Sequence, residues 1–132
     1  MQAILPGRVQ ARSYIPTMPA ILYTVRANCV SLQQRGRYLA WLSPNHILEL
    51  IKHGATGARI VLPDRAGDTA PARPELVERA VVETQYVFPS RKAFDEYVRD
   101  HAPALRADGL KHFPADSGIT YERQVAEIAA EL

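Results

Sequence analysis

The chain is poor in the residues from which small proteins build staples and metal centres. It has one cysteine, Cys29, and four histidines in 132 residues. A lone thiol closes no internal disulfide, and a structural zinc site needs several Cys or His ligands. No apolar run reaches the 18 or so residues of a membrane-spanning helix. Neither sign of charge dominates, with 16 Lys and Arg against 14 Asp and Glu. The small excess sits in residues 1–18, where Arg8 and Arg12 occur without an acid. The remainder is neutral, so the fold carries no basic stripe of the kind a nucleic-acid binder presents. No GxSxG, Walker or zinc-finger pattern occurs. These absences lead to an expectation of no metal, no cofactor, no membrane and no nucleic-acid partner, in a chain of the cytoplasm.

What remains is an ordinary globular composition, 47% hydrophobic and 23% charged, at the length of one domain. Residues 1–18 read as a flexible basic tail punctuated by prolines, and residues 19–132 as one domain. Ala20–Val30 alternates Ile21, Tyr23, Val25, Ala27 and Cys29 with Leu22, Thr24, Arg26 and Asn28, the period of a strand with two unequal faces. Ser31 followed by Gln34 is a capping box that opens a helix. Its apolar stripe runs past a break at Ser43-Pro44 to Leu50 and Ile51, and Gly54 closes it. Ala58–Leu62 is a short strand, 63–74 a flexible hairpin loop, and Leu76–Phe88 a long third strand. Ser90 caps a second helix whose stripe is Phe94, Tyr97, Val98, His101 and Leu105, interrupted at Pro103 and ended by Gly109 and Pro114. Gly118–Ala126 is a last strand, and the final EIAAEL favours a helical turn.

The order is β-α-β-β-α-β, an α+β ferredoxin-like domain with a four-stranded antiparallel sheet and two helices on one face. Tyr23, Val25, Ala27, Val82, Tyr86 and Phe88 form the face under the helices. The other face offers Leu22, Thr24, Arg26, Val81, Glu83, Gln85 and Val87, too apolar for solvent and too charged for a core. Such a face suits a partner sheet or a ligand. Arg26 and Glu83 are placed to pair across neighbouring strands.

Two segments carry a resemblance. YLAWLSPNHILELIKHGATGARIV (38–61) has a Trp-Leu pair, then His-Ile, then a glycine-containing turn into a strand. VVETQYVFPSRKAFDEYVRDHAPALRADGLKHF (81–113) has a strand with Gln-Tyr, then Tyr97, His101, Pro103, Leu105 and Arg106 in the spacing Tyr-x-x-x-His-Ala-Pro-x-Leu-Arg. Together they resemble domain-of-unknown-function family 4286, an uncharacterised bacterial group similar to the dimeric α+β barrels. The resemblance implies the fold and a homodimer whose sheets pack face to face. It carries no activity. The basic tail, the longer proline-rich loop and the alanine-rich end depart from the pattern.

The chemistry-bearing residues are weighed individually. His46 and His53 lie seven apart, roughly 10 Å along a helix, too far to share one ion. His46 and His101 read first as semi-buried structural histidines and second as ligand-binding groups. Cys29, Tyr38 and Trp41 read as packing residues. The candidate ligand set is Thr24, Arg26, Glu83, Gln85 and Arg123 on the open sheet face, with His46 as a further candidate. The expected function is a homodimeric protein that binds a small ligand on that face. The alternative is a cofactor-independent enzyme of the monooxygenase or isomerase type, which requires a cavity between sheet and helices lined by Glu83, Arg26 or His46.

Overall fold

The computed structural model describes residues 19–64 and 80–132. Strand β1 (Ile21–Asn28) leads into α1 (Leu32–Trp41) and, after a break, α2 (Ile47–Lys52). Strands β2 (Gly57–Val61) and β3 (Val81–Phe88) follow, then α3 (Arg91–Asp100), α4 (Ala102–His112) and β4 (Thr120–Glu127). The sheet order is β2-β3-β1-β4, antiparallel throughout. This is the ferredoxin-like fold, with β1 and β3 at the centre and β2 and β4 as edges.

The local signals act as their chemistry dictates. The Ser31 hydroxyl accepts from the Gln34 amide at 3.0 Å, and the Gln34 side chain accepts from the Val30 amide at 2.8 Å. Gln34 also donates to the Ser117 carbonyl at 3.0 Å, tying the start of α1 to the turn before β4. Ser90 accepts from the Ala93 amide at 3.1 Å in the same way. Both helices break at proline. Ser43 leaves the helical region (φ −118°, ψ 125°) just before Pro44, and α3 passes to α4 at His101, two residues before Pro103. A proline lacks the amide and clashes with the preceding turn, so one long helix becomes two shorter ones that wrap the sheet.

The register sets the two faces. Ile21 pairs with Phe88, Tyr23 with Tyr86, Val25 with Thr84 and Ala27 with Val82. Opposed residues point to one side, so this set lies under the helices. The core above it is two clusters. One centres on Ile21, Tyr23, Leu50, Phe88, Phe94 and Tyr97. The other centres on Ala27, Cys29, Tyr38, Leu42, Val82 and Phe113.

Three boundaries differ from the sequence reading. The second long helix runs through Gly109, because the Phe113 amide still donates to the Gly109 carbonyl at 2.8 Å. A β-carbon at Gly109 would sit 3.5 Å from the Trp41 ring, an ordinary van der Waals contact, so the packing of α4 against α1 does not require glycine there. The terminal EIAAEL is no helical turn. Glu127 ends β4, and the Ile128 amide donates to the Ala20 carbonyl at 2.8 Å, so the sheet ladder uses the group a helix would need. The glycine that the turn into β4 requires is Gly118 (φ +91°), where a β-carbon would approach Val30 Cγ1 at 2.7 Å. The expected basic tail and most of the proline-rich loop lie outside the described residues.

Candidate functional site

On the uncovered face the sequence-derived residues form a connected network. Arg26 Nη1 donates to Glu83 Oε2 at 3.0 Å. Gln85 Nε2 donates to Glu83 Oε1 at 3.1 Å, and Arg59 Nε donates to Gln85 Oε1 at 2.6 Å. Thr24 lies beside Gln85 in the register. Four of the six candidates therefore belong together, and Arg59 on β2 joins them. Leu22, Val87 and Ala126 flank the network with apolar surface.

Arg123 borders both faces: with Thr24, Arg26, Glu83, Glu122 and Gln124 it lines a hollow of about 350 Å³ on the open side. It pairs with Val25, so its side chain is directed to the helix side with Tyr121 and Val125, while Glu122, Gln124 and Ala126 face outward. The alternation of β4 can be read only once a neighbour fixes which parity points inward. Its guanidinium lies 5.2 Å from the centre of the Tyr121 ring. His46 likewise sits on the helix side.

That side holds a cavity of about 220 Å³ between the sheet and the helices. Its floor is Tyr23 and Val25 of β1, Thr84 and Tyr86 of β3, and Tyr121 and Arg123 of β4. Tyr38, Trp41, Leu42, His46 and Leu50 close one wall. Leu105, Arg106, Gly109 and Leu110 of α4, with Tyr97, close the other. The walls draw on both core clusters, so the cavity is the seam between them. Along α4 only Ala102 is buried, so this helix spans the seam and does not fill it.

His46 stacks on Trp41 with ring centres 4.4 Å apart and planes 27° from parallel. Burial pulls its pKa below the ordinary histidine value, against the weaker pull of Asp108 and Glu49. The imidazole is therefore neutral at pH 7 and can accept a proton or a hydrogen bond. Because the folded value is depressed, the unfolded chain binds the extra proton as pH falls through 6.5. His46 thus supports the fold fully above that pH and progressively less below it. The stability measured by urea unfolding should fall between pH 7.5 and 5.5, and His46→Gln should flatten that slope. An unchanged slope would show that His46 does not govern it.

The Cys29 thiol is buried, and burial pushes it up, so it stays protonated in the core. His53 and His101 stack face to face at 3.7 Å. Among the described residues no group of three or more His, Cys, Asp or Glu could hold a metal ion. Nor is any described helix long and apolar enough to cross a membrane. Tyr38, Trp41 and Tyr97 were legible as helix packing residues but not as cavity walls, and Arg106 entered only through the resemblance. The available signal was that the inward positions are tyrosines where a dry core would use phenylalanine.

The fold places the chain among ferredoxin-like α+β proteins, and comparison with solved structures agrees. A dimeric ferredoxin-like protein from an uncultured marine organism matches with a TM-score of 0.55 at 12% identity, over 86% of this chain and 99% of that one. An EthD-like protein from Ralstonia eutropha JMP134 matches with a TM-score of 0.58 at 14% identity, over 87% of this chain and 96% of that one. At such identities the likeness is one of fold. No protein-family model and no curated protein matches the chain.

Proposed function

We propose that the chain is a homodimeric small-molecule-binding protein, paired through the open sheet face and loaded from the helix side. The observation that carries the binding is the cavity under α4, which a domain with an otherwise buried aromatic core does not need for stability. This moves the ligand from the open face, where sequence reasoning put it, to the opposite side of the same strands. Its volume lies below the roughly 300–1,000 Å³ of drug-sized pockets, so the ligand is of one or two rings.

The pairing is supported by the Arg59–Gln85–Glu83–Arg26 network and its apolar flanks. It is also supported by the neighbour described as dimeric and by the resemblance to domain-of-unknown-function family 4286, in which we place the chain. With one cysteine, held as a buried thiol, the protein suits the cytoplasm.

Light scattering should give a dimer mass at micromolar concentration. In parallel, small aromatic compounds should shift the methyl resonances of Val25, Leu50 and Leu105. A monomer would overturn the pairing, and methyl resonances unmoved across the set would overturn the cavity reading. A second reading, a cofactor-independent enzyme, is favoured by the neutral His46 in the cavity wall. In that case His46→Gln abolishes turnover of a bound compound while its binding persists.

A further inference from the structure

Five buried residues with hydroxyl groups line the cavity, beside the half-buried Tyr121, without a hydrogen-bond partner for those groups among the described residues. They are Tyr23, Tyr38, Thr84, Tyr86 and Tyr97. Each is at most 4% exposed. Folded proteins pair nearly all buried polar groups with protein or with water, and an exception calls for a cause. Phenylalanine and valine would fill the same space with no such demand. Five orphan hydroxyls gathered on one cavity therefore mark a surface shaped for oxygen atoms it does not itself supply. Burial pushes the phenols of Tyr38 and Tyr86 up, and that of Tyr97 up to about 12, so all three are neutral O–H donors at physiological pH.

The rim has a second, separate feature. Arg106 on α4 and Arg123 on β4 both border the cavity. Both are exposed, and neither makes a salt bridge to a carboxylate among the described residues. By contrast, Arg26 and Arg99 each hold an acid at 3.0 Å or closer. Two guanidiniums that hold no carboxylate, that of Arg123 lying over the Tyr121 ring, recognise an anion of planar shape, most strongly a carboxylate. The ring-rich interior, with Trp41 and His46 stacked in its wall, suits a flat ring and repels a polyanion.

We infer that the cavity takes a small hydroxylated aromatic carboxylate. Its ring lies among the tyrosines, its oxygens accept from the buried hydroxyls, and its carboxylate meets Arg106 and Arg123. A neutral apolar guest would leave the hydroxyls unpaired. A neutral polyol would leave the arginines unused. The inference rests on the cavity being a binding site, as proposed above, and adds the class of ligand.

The test titrates 4-hydroxybenzoate and its methyl ester into the full chain, followed by calorimetry and by the methyl resonances of Val25, Leu50 and Leu105. The acid should bind at least about tenfold more tightly than the ester, a difference of about 1.4 kcal/mol. Arg106→Gln combined with Arg123→Gln should erase that preference without moving the melting temperature, since both side chains are exposed. Thr84→Val and Tyr86→Phe, which keep the packing, should each weaken the acid several-fold. Equal binding of acid and ester, or an acid affinity unchanged in the double arginine variant, overturns the ligand class while the methyl shifts still uphold the cavity. Methyl resonances unmoved by either probe overturn both.

Discussion

Under the proposed pairing of two copies through the open face, Glu83→Lys is expected to yield a folded monomer. In the single chain Glu83 accepts from Arg26 and Gln85 on a face open to solvent. The pair is half-buried, and ion pairs at the surface contribute about 0–1 kcal/mol, so the monomer should stay folded with a modest loss of stability. In a symmetric dimer the same patch meets itself, and a change of charge enters twice. Lysine at 83 would stand beside Arg26 and Arg59 in both copies, with no acid left at the centre of the network. Like charges placed in an interface cost several kcal/mol, which weakens the dimer by about a hundredfold or more. Light scattering across a dilution series reads the shift. Exchanging the charges, Arg26→Glu with Glu83→Arg, should restore the dimer. If Glu83→Lys remains dimeric at the parent's concentration, the open face is not the interface.

Phe88→Ala should be the most damaging single change to the fold. Phe88 is fully buried, meets Phe94 edge-on at 5.3 Å and lies 5.3 Å from Tyr97. Its ring also approaches within 3.5 Å of the place a β-carbon would occupy on Gly54. Truncating a packed phenylalanine costs about 3–5 kcal/mol, through lost burial and the void left behind. A domain of this size holds only about 5–15 kcal/mol in total. The urea midpoint should therefore fall far enough for the variant to be partly unfolded at 37 °C. A small shift would mean that α2 and α3 close over the void.

The same sequence positions show what could be read in advance and what could not. The strands β1 and β3 announce their faces, because Tyr23 and Val25 alternate with Thr24 and Arg26, and Thr84 and Tyr86 with Glu83 and Gln85. The Arg26–Glu83 pair followed from that alternation alone. Ser31 and Ser90 announce the helix starts through local chemistry confined to four residues. That Arg123 also reaches the helix side was not legible, because β4 reads ERQ through its middle, with no apolar alternation to set its parity. Only pairing with β1 settles it. The cavity escaped for a different reason. An amphipathic stripe reports which side of a helix faces inward, not how far the helix stands from what it faces. Trp41 and Leu105 look alike in the pattern whether they touch the sheet or span a gap. Gly109 seemed a stop because glycine disfavours helices, yet the helix runs through it to His112 and the Phe113 amide donates to its carbonyl.

The opposite assignment of successive residues on β1 and β3 constrains how such a chain can change over evolutionary time. Thr24 and Arg26 belong to the outer network, and Tyr23 and Val25 to the cavity floor. Inserting or deleting one residue in either strand would exchange these sets, turning guanidinium groups inward and phenols outward. With pairing and binding placed as proposed, substitutions can tune the two independently, one parity at a time. Length changes in these strands cannot, so variation in length should collect in the connections between elements and leave the two central strands at a constant count.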